Sequence, residues 1–217
     1  MKPKRAVVLA ALFFSLVGAF LEQPLMVSAA GSDGGSYWRH NDCGLNGGVG
    51  DYGNNNRYYY IDSSCYNMAG LETNIESAWN GWIYTTSRLG VTTPISVERT
   101  YIKSDSVFDF YYRNEFDADE GIYAVTYCVV DGIQAGGLYE MYISWDWTNI
   151  VFNSASFPTL STHYVPNKQL AVCAHEIGHA MGLMHVGSQS VLMYPNPTFF
   201  LVDQCTVYET YGINDLY

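Results

Sequence analysis

Three of the chain's five histidines fall in one short run, His175-Glu176-Ile177-Gly178-His179-Ala180-Met181-Gly182-Leu183-Met184-His185. Residues four apart on a helix lie on one face, so a helix here presents His175 and His179 to a single ion. Neutral imidazole is a good zinc donor, at about 2.0–2.1 Å. Glu176 is one position on, placed to reach water at such an ion without being a ligand. A third ligand on the same straight helix lies too far round the cylinder. Gly182 resolves this, because glycine accepts a positive φ at low cost and can end the helix in a sharp turn that swings His185 back. Three protein ligands leave a position open for water, which separates a catalytic zinc site from a closed structural one.

The surroundings fit a helix at this place. Asn167 can cap a helix from Lys168 to about Gly182. Upstream, Leu71, Ile75, Ala78, Trp79, Trp82 and Ile83 keep the spacing of one amphipathic helical face. Arg57 to Ile61 carries a tyrosine run suited to a strand. Ile95–Ile102, Val107–Arg113, Ile122–Val130, Leu138–Trp145 and Ile150–Ser154 are short β-branched and aromatic segments, separated by turn clusters that include Asp131-Gly132. A third helix is predicted from Asp203 to Tyr211, ended by Gly212. Strands alternating with helices imply an α/β (α+β) fold around one twisted sheet. No internal repeat is visible.

Both ends of the composition argument point outside the cell. Lys2, Lys4 and Arg5 precede the apolar run Ala6 to Phe20, and small residues follow at Ser28-Ala29-Ala30, the order of a secretory signal peptide over 1–29. Residues 30–56, rich in Gly, Asn, Asp and Ser, read as a flexible arm, leaving 57–217 as the single catalytic domain. The chain is 48% apolar, as globular domains are, and with 14% charged residues it has too few charges for a disordered chain. Its net charge is −11, and removing 1–29 takes away three positive charges and one negative, leaving −13. Such a chain repels nucleic acid and anionic membranes, so neither is an expected partner. All five cysteines (Cys43, Cys65, Cys128, Cys173, Cys205) follow the signal segment. Secretion makes disulfides plausible, with sequence proximity weakly favouring Cys43–Cys65 and one thiol left over.

The extended histidine motif followed by Ser190-Val191-Leu192-Met193-Tyr194-Pro195 resembles the metzincin metallopeptidases, and among them the matrixins. The resemblance implies a metzincin-like catalytic domain: a twisted, mostly parallel sheet of about five strands with one antiparallel edge strand, three helices, an active-site helix and a methionine turn. It implies Met193 as an apolar floor beneath the zinc, supporting the histidines without ligating. It also implies a substrate-pairing edge strand, placed within Leu138–Trp145. Val186 stands where matrixins usually carry Ser, and Pro195-Asn196-Pro197 lacks the Tyr that closes the main specificity pocket.

The expected function is therefore a secreted, extracellular, monomeric zinc endopeptidase acting on protein or peptide substrates. It carries one catalytic Zn2+ held by His175, His179 and His185, Glu176 as general base, and Gly182 and Met193 in support. The alternative is a catalytically silent extracellular binding module on the same fold, for which a retained Glu176 has no use. Asp117, Asp119 and Glu120 before Gly121 are a candidate Ca2+ cluster without a complete loop pattern.

Overall fold

The computed structural model describes residues 43–137, 143–163 and 166–217. The proposed signal segment, residues 30–42 of the arm, and residues 138–142 of the expected edge strand lie outside these.

The described residues form one six-stranded sheet with two long helices, Leu71–Ile83 and Lys168–Ala180, against one face. The strands are β1 (Arg57–Ile61), β2 (Val97–Thr100), β3 (Phe108–Arg113), β4 (Ala124–Val130), β5 (Ile133–Gly137) and β6 (Trp147–Asn153), in the order β2-β1-β3-β6-β4-β5. The first four in that order run parallel, β4 runs antiparallel to β6, and β5 antiparallel to β4. Parallel neighbours need a crossover, and helices α1 (Leu71–Ile83) and α2 (Thr85–Leu89) supply the one between β1 and β2. Alternation then sorts the side chains: Phe108, Phe110, Ile150 and Phe152 are wholly buried on the helix-covered face.

The sheet is mostly parallel, as the sequence implies, with one strand more than the five expected. The extra strand is β5. Asp131 (φ 51°) and Gly132 (φ 76°) form the two-residue turn with both φ positive that a tight hairpin requires, and so fold β5 back on β4.

Helix α1 buries Leu71, Ile75, Ala78, Trp79 and Trp82, the stripe its sequence predicts. Trp79 stacks on Tyr59 at 5.6 Å and meets Phe108 edge-on at 4.9 Å. Trp82 Nε1 donates to the Ala174 carbonyl at 3.0 Å, tying α1 to helix α3 (Lys168–Ala180). Asn167 caps α3, accepting from the N–H groups of Gln169 and Leu170. Every residue from Ala171 to Ala180 is buried, because α3 packs against both the sheet and α1.

Three sequence expectations change. Helix α4 spans Val207–Leu216, starting later and running past Gly212, which lies buried inside it. The start is set by Thr206 and Glu209, whose side chains cap each other's main chain; this reciprocal box outweighs the acidic cue at Asp203. Residues 43–50 are not loose. Cys43, Leu45 and Val49 are buried, and Leu45 pairs with Trp145 as an isolated bridge.

The favoured Cys43–Cys65 bond is not formed, and no disulfide joins any of the five cysteines. Cys43 lies against the turn at Gly182, its carbonyl oxygen 3.1 Å from where a Cβ there would be, while Cys65 is wholly buried in the core after β1. Among the described residues no helix is long and apolar enough to cross a membrane.

Candidate metal centre

Helix α3 presents His175 and His179 on its cavity side, with ring centroids 4.5 Å apart. Each ring is oriented through its Nδ1. His175 Nδ1 lies 2.8 Å from the Leu192 carbonyl oxygen and His179 Nδ1 lies 2.7 Å from that of Leu183. A carbonyl can only accept, so Nδ1 carries the proton in both rings and each Nε2 holds a lone pair. This is the arrangement in which a second partner fixes the tautomer of a metal-binding histidine. Burial holds the rings neutral: the pKa of His175 is lowered to about 3 and that of His185 to about 4, and that of His179 falls well below its usual value.

The three Nε2 atoms converge. His185 Nε2 is 3.1 Å from His175 Nε2 and 3.0 Å from His179 Nε2. Among the described residues, these three histidines are the set whose donor atoms gather closely enough for one ion. On a tetrahedral zinc with bonds of about 2.0–2.1 Å, neighbouring donors stand about 3.4 Å apart. The observed separations are slightly shorter, so the donor set fits zinc with a small outward adjustment.

Gly182 brings His185 into this group. Its φ of 104° ends the helix, with Leu183 N–H returning to the Gly178 carbonyl at 3.0 Å. A Cβ there would also stand 3.0 Å from Leu216 and 3.1 Å from the Cys43 carbonyl, so both conformation and space call for glycine. Val186 N–H then donates to the Met193 carbonyl at 2.8 Å, joining the third histidine to the methionine turn. Met193 has no solvent exposure and lies under the helix at Gly178. A Cβ on Gly178 would approach Met193 Sδ to 2.5 Å.

Glu176 is 6% exposed and borders the same cavity. Thr126 Oγ1, on β4, contacts both its Oε2 (2.7 Å) and its main-chain carbonyl (3.1 Å). Burial raises the Glu176 pKa to about 7, and the Thr126 hydrogen bond works in the opposite direction. The cavity has a volume of about 260 Å³, with apolar walls from Ile122, Val172, Pro197 and Phe200. The Phe200 ring lies 5.4 Å from that of His175.

Its long wall is the start of β4. Of the segment Leu138–Trp145 expected to supply an edge strand, residues 138–142 lie outside the described residues, and Trp145 pairs with Leu45 as an isolated bridge. On β4, residues Ala124–Thr126 pair with β6, and among the described residues β5 pairs with β4 from Tyr127 onward. Glu120 is turned back onto the Asp117 N–H at 3.0 Å, and Asp117, Asp119 and Glu120 are all exposed.

The structure thus gathers His175, His179, His185 and Glu176 on one cavity, with Gly182 and Met193 beside them. It adds Thr126, Gly178, Phe200 and Glu209, which the sequence reading did not single out. Gly178 carried a local signal, a glycine inside a helical pattern, and Glu209 carried another, the Thr206-x-x-Glu209 spacing of a capping box.

The matrixin family profile matches residues 59–217. Matrix metalloproteinase-18 of Xenopus laevis is 27% identical over 134 residues, which cover 59% of this chain and 24% of that protein. The chain therefore spans about a quarter of the length of this curated relative.

Proposed function

This chain belongs to the matrixin family of zinc metallopeptidases, and from that premise we propose that it is a secreted endopeptidase whose zinc is held by His175, His179 and His185. The observation that carries the reading is the convergence of three neutral imidazoles on the cavity that Glu176 also borders. Zinc in that position supplies Lewis acidity, acidifying water and polarising a peptide carbonyl.

The remaining work falls to the chain. Glu176 takes the proton of the attacking water as general base and delivers it to the leaving amine as general acid. An extended substrate lies along Ala124–Thr126, the stretch of β4 that borders the cavity. The apolar walls formed by Ile122, Val172 and Phe200 receive an apolar substrate side chain. Residues 1–29 direct export. A silent binding module gains nothing from a buried carboxylate beside three imidazoles, because its burial carries a cost that only chemistry repays.

The test is direct. The purified protein is expected to bind one zinc and to cleave casein or a peptide library. Chelation abolishes cleavage and added zinc restores it. Glu176→Gln keeps the zinc and loses activity by at least about 100-fold. Full activity in a zinc-loaded Glu176→Gln variant, or no zinc-dependent cleavage by the wild type, rejects the reading.

A further inference from the structure

The hydroxyl of Thr126 is the one polar side chain, among the described residues, that bonds the Glu176 carboxylate. Both residues are buried, Thr126 at 4% exposure and Glu176 at 6%. The geometry is unusual in that both contacts of the hydroxyl fall on the same residue: Oε2 at 2.7 Å and the main-chain carbonyl oxygen at 3.1 Å. A charged carboxylate can only accept, and a hydroxyl has one proton, so the shorter contact is the hydrogen bond to Oε2. Oε1 takes no hydrogen bond from the described residues, which leaves that oxygen for water in the cavity.

From this we infer that Thr126 is a positioning residue for the peptidase reaction, fixing the Glu176 carboxylate so that one oxygen is anchored on β4 and the other is presented to the attacking water. The inference rests on the function proposed above. A glutamate has three rotatable bonds, and confining it costs rotamer freedom. Thr126 meets that cost in the folded protein, before substrate arrives, because a hydrogen bond to an ionised acceptor is among the stronger ones.

The second consequence concerns registry. Thr126 lies on the strand that borders the cavity and is the proposed seat of the substrate backbone. Along β4 its side chain points toward α3, while its main chain pairs with Ile150 of β6. One residue thus couples the strand that locates the scissile bond to the group that activates water. A shift of β4 relative to α3 carries the base with it, preserving the approach that catalysis requires to well within 1 Å.

Two variants isolate the hydroxyl. Thr126→Val keeps the β-branched shape and removes the donor, whereas Thr126→Ser keeps the donor. Thr126→Val is expected to bind zinc as tightly as the wild type in a chelator competition and to keep its KM. Its kcat should fall about 10–100-fold, the range for losing a partner that orients a catalytic group. Thr126→Ser should stay within about threefold of wild type. In a Glu176→Gln background, Thr126→Val should cause no further loss, because the two act as a unit.

A crystal structure of zinc-loaded Thr126→Val gives a readout independent of turnover. The Glu176 carboxylate should occupy more than one rotamer, and in Thr126→Ser a single one. Unchanged kcat and a single rotamer in Thr126→Val overturn the inference, as does a loss that Thr126→Ser does not restore. If Thr126→Val fails to fold, Thr126→Ala and Thr126→Ser provide the same comparison. An active wild type with a dead Glu176→Gln and an unaffected Thr126→Val rejects this inference alone. An inactive wild type rejects the proposed function with it.

Discussion

Glu209 accepts the main-chain N–H groups of Leu192 at 2.7 Å and Met193 at 3.2 Å through a single carboxylate oxygen, from a position with no solvent exposure. Its other oxygen accepts from the main chain and hydroxyl of Thr206. One side chain therefore caps α4 and pins the methionine turn. The same turn offers the Leu192 carbonyl that orients His175. Glu209→Gln puts an amide NH2 against two donors whichever way it is turned. The variant should lose about 3 kcal/mol of stability in urea denaturation and bind zinc more weakly. Wild-type stability with intact zinc affinity would show that the turn holds without the carboxylate.

Gly178 makes a second prediction about the same floor. A methyl group there would sit 2.5 Å from Met193 Sδ and 3.3 Å from the Trp82 ring. Alanine is the better helix former, by about 1 kcal/mol, so propensity alone predicts that Gly178→Ala is stabilising. Overpacking costs about 1–3 kcal/mol and should win, because Met193 is buried and has nowhere to retreat. Thermal denaturation should show a lowered Tm. A raised Tm would mean that the methionine repacks freely and is not a fixed floor.

The ligands and the floor were legible because their chemistry is local. His175, His179, Gly182 and His185 owe their placement to helical period and to one turn, and Met193 follows a few residues later. The stripe on α1 and the limits of β1 were legible for the same reason. Thr126 and Glu209 were not, since each meets its partner only through tertiary packing, across 50 residues to Glu176 and 16 to Met193. The same holds for the edge of the cavity. Ile122–Val130 looks in isolation like the other predicted strands, and only its pairing with β6 and its place on the cavity wall show that it borders the histidines. The packing of Leu45 and Val49 was hidden by the glycines and asparagines between them. The end of α4 was misplaced because Gly212 reads locally as a stop, although the capping box at Thr206 carries the helix through it.

The buried histidines make the metal-free protein sensitive to acid. His175 and His185 have folded pKa values of about 3 and about 4 against 6.5 when unfolded, and His179 is displaced the same way. Below pH 6.5 the unfolded chain therefore binds more protons than the folded one, and stability is lost as pH falls. Each histidine costs about 1.4 kcal/mol per pH unit in that window. Glu176 acts oppositely: raised from 4.5 to about 7, it holds a proton in the folded state that the unfolded state releases between those values. Three groups oppose one, so the urea midpoint of metal-free protein should fall from pH 7.5 to pH 5. Glu176→Gln removes the opposing group and should steepen the decline. A flat profile would contradict the burial of the three rings.

Tyr217 ties the segment before β1 to the end of α3. Its hydroxyl accepts from Leu45 N–H at 2.7 Å and donates to the Met181 carbonyl at 2.9 Å, and it lies where a Cβ on Gly44 would collide with it. Met181 is the residue before Gly182, so this hydroxyl braces the turn that returns His185. Tyr217→Phe keeps the ring and leaves the Leu45 N–H and the Met181 carbonyl without this partner. The cost should be about 1–3 kcal/mol in urea denaturation. Weaker zinc binding in a chelator competition should accompany it, because the turn that carries the third histidine is loosened. Stability loss without any change in zinc affinity would separate the two roles, leaving Tyr217 as a fastener of residues 43–50 with no influence on His185.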